Sequence, residues 1–251
     1  MRRFRPCMTA IGLALAAVAA TGAPAAAQDW EFRITPYVWM AGLEGDLGTI
    51  PGFPAQSVDL SFGDIWDDLE YGLFLSGTAR NGPWVIYFDG SVVQTDSTEK
   101  IGGPNVDKVN IKSETSTLTL AFGGTVSQSY THNLDLYGGF RYWNLENDYS
   151  VYTPSGRIKR ETDVDWTDPI VGMAGRYVLS DRWQAFGAAD IGGFGVGSDF
   201  EWSLMAGVSY AFAENFSMAF GWRVLDVDYD DDGVVYDTTQ SGPILGVTFR
   251  F

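Results

Sequence analysis

The side chains of this chain that could do chemistry are carboxylates and guanidinium groups, far more than histidines or thiols. The densest run is Asp226, Asp228, Asp230, Asp231 and Asp232, in the segment LDVDYDDDG. An acid-rich loop cages calcium when a glycine at its sixth place turns the chain and a glutamate at its twelfth closes the site with both oxygens. Counted from Asp226, those places hold Asp231 and Asp237. The pattern fails, and the run reads as a solvated rim whose charges keep the loop wet, against the alternative of a rim that collects magnesium or calcium. His132 is the single histidine, hence the single side chain suited to general-base work near neutral pH. It falls in a polar stretch, residues 127–133, and reads as a turn residue. The glycine-rich GGFGVG at 192–197 has neither the lysine nor the following helix of a phosphate-binding loop. It reads as a strand end and a tight loop. No catalytic residue, cofactor or metal-ligand set is expected.

A second set of charges is spread along the whole chain. It comprises Glu31, Asp89, Asp135, Asp168, Asp190 and Glu201, with Arg33, Arg80, Arg141, Arg176, Arg223 and Arg250. Each lies on the face of an alternating segment opposite a row of apolar residues. In the last segment, GPILGVTFRF, Pro243, Leu245, Val247, Phe249 and Phe251 share one face. Gly242, Ile244, Gly246, Thr248 and Arg250 share the other, which is the period of a strand. Ten such segments follow one another at 30–41, 70–80, 84–95, 110–126, 134–145, 166–179, 183–194, 200–212, 216–229 and 242–251. Each has roughly the 9–11 residues that a tilted membrane-crossing strand needs. The loops after the first, third and fifth segments (42–69, 96–108, 146–165) are long, and the turns after the second, sixth and eighth (81–83, 180–182, 213–215) have about three residues; 127–133 is a turn, 195–199 a short loop and 230–237 the last loop. An even strand number with this asymmetry is the plan of bacterial outer-membrane barrels. Outward aromatics sort by height, with Trp84, Trp183, Tyr210, Phe216, Phe249 and Phe251 at the turn end and Tyr142, Trp202 and Trp222 nearer the loop end. Two such girdles suit the two membrane–water boundaries.

The fold expected is all-β: one up-and-down antiparallel transmembrane barrel of ten strands over residues 28–251. The alternative is eight strands plus a loop hairpin. The twelve inward charges balance in sign, so they are expected to neutralise one another across strands, since a buried charge is costly unpaired. Tyr37, Trp39, Phe74, Tyr87, Tyr137, Trp143 and Phe186 add bulk beside them. The interior therefore reads as mostly filled, against the alternative of a narrow path for small solutes. In the first loop, Val58, Leu60 and Phe62 alternate with polar residues, and Asp64 is expected to cap a short helix at 65–69. That loop either folds into the barrel mouth or extends the wall as a hairpin.

The N-terminus has Arg2, Arg3 and Arg5, an apolar run at 8–20, and Ala25-Ala26-Ala27. This reads as a secretory signal peptide over residues 1–27. Its removal takes Cys7, the only cysteine, and moves the net charge from −16 to −19. So acidic a chain argues against nucleic acid as a partner. With 45% hydrophobic and 15% aromatic residues it is not a disordered one.

The segments ITPYVWMAGLEGD, DPIVGMAGRYVLSDRW, ADIGGFGVGSDFEW and GWRVLDVDYDDDG resemble those of small, porin-like outer-membrane β-barrel proteins of Gram-negative bacteria. The resemblance covers nearly all of the mature chain. It implies an outer-membrane location and contact with lipid and lipopolysaccharide, whose phosphates would lie beside the acidic rim. The terminal TFRF, with Phe249 and Phe251, is similar to the signal read by the barrel-assembly machinery, which implies that machinery as a partner. Outer-membrane deacylases, acyltransferases and omptin-like proteases depend on a histidine near the outer leaflet. This chain has none there, so an enzyme on lipid A or peptides ranks behind a non-enzymatic envelope protein and a narrow channel.

Overall fold

Side chains that alternate between lipid and a packed interior favour strands, and the chain is built almost entirely of them. The computed structural model describes residues 30–49, 54–100 and 107–251. The expected signal peptide and cleavage site, with Cys7, lie outside the described residues. In chain order the elements are β1 (Trp30–Trp39), β2 (Gly42–Gly48), β3 (Gln56–Leu60), α1 (Phe62–Asp68), β4 (Leu69–Asn81) and β5 (Trp84–Lys100). There follow β6 (Lys108–Gln128), β7 (His132–Thr153), β8 (Gly156–Val178), β9 (Trp183–Gly192), β10 (Phe200–Ala213), β11 (Phe216–Asp231) and β12 (Val234–Arg250).

Strands β1 and β4 to β12 form a closed antiparallel barrel of ten strands, each paired with its neighbour in sequence. Closure is made by β1 on β12, with Arg33 opposite Arg250 and Trp39 opposite Ile244. At the turn end, Phe32 and Phe251 exchange backbone hydrogen bonds, so the described N-terminal end and the C-terminus meet there. The outer face carries an apolar band that includes Leu73, Leu118, Leu120, Phe140, Val171, Met173 and Phe220, all exposed. A band of that kind is costly in water and stable in lipid. At the turn end its aromatics touch in series: Trp183 and Tyr210 (ring centroids 5.0 Å apart), Tyr210 and Phe212 (4.9 Å), Phe212 and Phe216 (5.8 Å), Phe216 and Phe249 (5.7 Å).

The strands run further than the sequence reading allowed. Residues 146–165 are not a loop: they continue β7 and β8 to a turn at Pro154 and Ser155. Residues 96–100 likewise prolong β5. Residues 230–237 are a hairpin, turned at Asp232 and Gly233, both with positive φ (50° and 78°). Two such residues in succession are what a two-residue hairpin turn requires, and Asp-Gly supplies them at low cost. The first loop extends the wall rather than filling the mouth. Its β2 pairs with the upper part of β12, and β3 pairs with β2. The cap of α1 is Ser61, not Asp64. Asp64 stands at the third helical position and accepts from the Ser61 backbone N–H (2.9 Å), while its own N–H is taken by Ser61 Oγ (3.3 Å). This is a capping box, in which two helix-end donors are satisfied reciprocally.

Candidate functional site

Alternation sends every second side chain of the ten strands into the lumen, which has three levels. At the turn end, Glu31 on β1 pairs with its near neighbour Arg33 and lies 3.6 Å from Arg250 on β12. Nearby, Arg80 on β4 binds both oxygens of Asp135 on β7. Asp135 also accepts from Thr125 Oγ1 (2.6 Å), Tyr87 (2.5 Å) and Asn133 (3.2 Å). It is fully buried and amply satisfied. Arg176 on β8 faces the same end and forms no ion pair among the described residues.

The middle level is a pair of buried ionic clusters. Arg141 on β7 lies 2.9 Å from Asp190 on β9 and 3.1 Å from Glu201 on β10. Its Nε donates to Thr119 Oγ1 (3.0 Å). Glu201 accepts through Oε2 from Trp143 Nε1 (3.0 Å), and Tyr137 donates to Asp190 (3.2 Å). The Arg141–Glu201 contact is close but poorly directed, because Arg141 Nη1 and Glu201 Oε1 have no hydrogen-bond partner. It is therefore a Coulombic contact more than a hydrogen bond. Arg223 on β11 lies 2.9 Å from Asp89 on β5, and Tyr37 donates to Asp89 (2.9 Å). The guanidinium of Arg223 also sits 4.7 Å from the ring centre of Trp39.

The upper level is aromatic. Trp143 stacks on Trp166 (centroids 5.5 Å), Trp166 stacks on Tyr229 (4.1 Å), and Tyr236 leans on both tryptophans (6.0 and 6.1 Å). Trp39, Leu145, Leu225, Val227, Val234 and Ile244 complete a cluster that crosses the lumen from β7 and β8 to β11 and β12. Above the membrane the barrel thus collapses on itself like a sandwich. Asp168, expected among the ion pairs, belongs instead to a latch. It accepts from the backbone N–H and hydroxyl of Ser198 (both 2.7 Å) and from Trp166 Nε1 (3.0 Å). Those bonds tie the loop between β9 and β10 to the aromatic level. That loop carries three successive residues with positive φ, Gly193, Phe194 and Gly195. A Cβ at Gly193 would lie 2.5 Å from Ser198 Oγ, so the close fold of the latch needs glycine there.

Ten of the twelve inward charges are therefore in ion pairs; Asp168 and Arg176 are not. The residues missed by sequence reasoning are Tyr229, Val234, Tyr236 and Ser198. For Tyr229 a signal existed. Leu225, Val227 and Tyr229 alternate with Asp226, Asp228 and Asp230, so the acid run is one face of a strand. Below the aromatic level remains a cavity of about 400 Å³ open to the turn end.

Outside the membrane, carboxylates stand directly opposite one another. Asp228 faces Asp237, which faces Asp46; Glu114 faces Glu146, which faces Asp163. Partial burial, with Asp237, Asp199, Asp226 and Asp230 nearby, pushes the Asp228 carboxyl upward. Burial and then Asp163, Glu114 and Asp148 do the same to Glu146. Among the described residues no group of acids, histidines or cysteines has the geometry of a metal site. His132 lies at the turn end, with Ser127 Oγ and Ser129 Oγ at 3.0 and 2.8 Å from its ring nitrogens.

A closed ten-strand barrel with an apolar outer band, an ion-paired lumen and an aromatic girdle at its turn end is an outer-membrane-type β-barrel. No family model and no curated protein matches the chain. Among solved structures, the outer-membrane protease OmpT from Escherichia coli aligns over 89% of this chain and 97% of its own, with a TM-score of 0.51 and 10% identity. The translocator domain of the autotransporter NalP from Neisseria meningitidis covers 89% of this chain and 88% of its own, with a TM-score of 0.46 and 11% identity. At such identities the likeness is one of fold.

Proposed function

We propose that the protein is a non-enzymatic, non-conducting barrel of the outer membrane, exported by its N-terminal signal and inserted through recognition of Phe249 and Phe251. It anchors a closed, acidic β-structure above the lipid and contributes to envelope integrity or surface interaction. The observation that carries this reading is the layer of Trp143, Trp166, Tyr229 and Tyr236 across the lumen, laid over the Arg141 and Arg223 clusters. The four rings are nearly fully buried against one another, and the charges of the ionic level beneath them are paired. The opposed carboxylates would face lipopolysaccharide phosphates, where divalent cations bridge like charges. Against an enzymatic role, the one histidine opens β7 at the turn end, away from the acidic surface.

The test is single-channel recording of the refolded mature protein in a planar bilayer, beside a porin as positive control. Silence is expected across the voltage range in which the porin conducts. Steady discrete openings would overturn the closed-lumen reading.

A further inference from the structure

The lower half of the lumen is not packed. Its cavity, about 400 Å³, falls in the range of small-molecule sites, which run from roughly 300 to 1,000 Å³. The ionic clusters line its floor, and the turn residues Asp181, Glu214 and Asn215 border its mouth. We propose that this cup binds a small amphipathic anion, an arene carboxylate in chemical class, with the ring inside and the carboxylate held at the mouth by Arg33, Arg176 and Arg250.

Three observations define that ligand. The first is the charge at the mouth. Arg33 and Arg250 are cross-strand neighbours and share one carboxylate, Glu31. Arg176 has none, yet it borders both the cup and an adjoining recess together with Arg33, Asn133 and Gln184. Asp135, the nearest alternative, is taken by Arg80, Thr125, Tyr87 and Asn133. Asp181 and Glu214 stand on the rim turns and form no ion pair among the described residues. Arg33 and Arg250 share Glu31, and Arg176 is in no ion pair among the described residues, so the planar fork of Arg176 is free for a ligand carboxylate, which guanidinium binds with two parallel bonds.

The second observation is the wall formed by β9 to β12, where Phe186, Gly187, Met205, Ala219 and Gly246 line the cup. They form an apolar patch beside the small hydroxyls of Ser203, Ser209, Ser217 and Thr248. The third is the facing wall. Tyr37, Tyr87 and Tyr137 line it, but each hydroxyl is already given to Asp89, Asp135 or Asp190. These tyrosines therefore present ring faces and no spare donors, which suits a flat apolar body rather than a sugar or a polyol.

The inference rests on the closed floor of the proposed function. A leaking floor would be read as current and an idle cup as absent heat, so the two failures are distinguishable. The experiment is calorimetric titration of 2-naphthoate into the refolded mature protein in lipid nanodiscs, with empty nanodiscs as blank. One saturable site is expected. 2-Naphthylmethylammonium and inorganic phosphate should each bind at least about tenfold more weakly, since one lacks the charge and the other the body. Arg176→Gln, which breaks no ion pair, should weaken naphthoate about tenfold, and Arg250→Gln should do so as a second variant. Heat-modifiable gel migration checks that each variant is folded. Heat equal to the blank, equal binding of the ammonium congener or of phosphate, or naphthoate binding unchanged in both folded variants would each overturn the proposal.

Discussion

Arg141 and Glu201 face each other in mid-lumen, and the geometry makes their neutralisation unequal. Arg141 serves two carboxylates, Asp190 at 2.9 Å and Glu201 at 3.1 Å, and all three side chains are less than a tenth exposed. Arg141→Met keeps an unbranched apolar stem and removes the only cation that, among the described residues, touches either acid. Asp190 then keeps its bond from Tyr137 and Glu201 its bond from Trp143, but two buried negative charges remain. Removing one partner of a buried pair costs about 3–5 kcal/mol, so orphaning two acids should cost about 5 kcal/mol. Glu201→Gln removes one of two negative charges from a single cation. The amide oxygen can still accept from Trp143, Arg141 keeps Asp190, and the Arg141–Glu201 approach is poorly directed to begin with. Its cost should be about 0–1 kcal/mol. The expected gap is thus about 4 kcal/mol, read from guanidinium unfolding midpoints in detergent micelles at constant slope. A Glu201→Gln cost equal to or above that of Arg141→Met would refute the reasoning, as would Arg141→Met within about 1 kcal/mol of the parent.

Trp166→Ala removes the ring between Trp143 and Tyr229 and one of the three donors to Asp168; the loss should be about 4–5 kcal/mol by the same unfolding assay. Leu120 is 58% exposed in the apolar band. Leu120→Arg should cost about 2–4 kcal/mol when unfolding is measured in liposomes, whereas a neutral result would mean that this face meets water. Asp237→Asn relieves the row Asp228–Asp237–Asp46 and should stabilise by about 0.5 kcal/mol, less at high salt. The raised carboxyl of Asp228 binds protons more readily in the folded state than in the unfolded one. Its contribution is therefore favourable below its raised value and is lost as the pH climbs through it. Limited proteolysis of the outer hairpins should accordingly quicken from pH 4 to pH 7, and less so in Asp237→Asn.

Strand number, pairing order and the sidedness of side chains were legible because lipid outside and a polar lumen inside force a period of two. Trp84, Ile86 and Phe88 point out and Tyr87 and Asp89 point in, as alternation demands. Above the membrane the outer face is wet, so charges replace apolar residues there. Density of charge then looks like a loop, although Val227 and Tyr229 still alternate with Asp226 and Asp228. Asp232-Gly233 was a hairpin signal hidden in the same run. Ion-pair partners were not legible from balanced counts. Which arginine meets which acid depends on height and stagger around the wall: Arg80 reaches Asp135 and Arg223 reaches Asp89, far apart in sequence. The aromatic level was hidden for a related reason, since Trp166 and Tyr229 meet only once the upper barrel collapses.

The seam of the barrel has unequal sides. β12 has 17 residues and β1 has 10, so the closing strand stands well above its partner. Left alone, its upper edge would present a row of unsatisfied backbone groups, the template on which foreign strands add. Seven residues of β12, Val235 to Ser241, are instead covered by β2. The β2–β3 pair therefore acts as an edge guard against self-association. A chain shortened across them would retain all ten wall strands and still be the form most prone to zip onto a copy of itself.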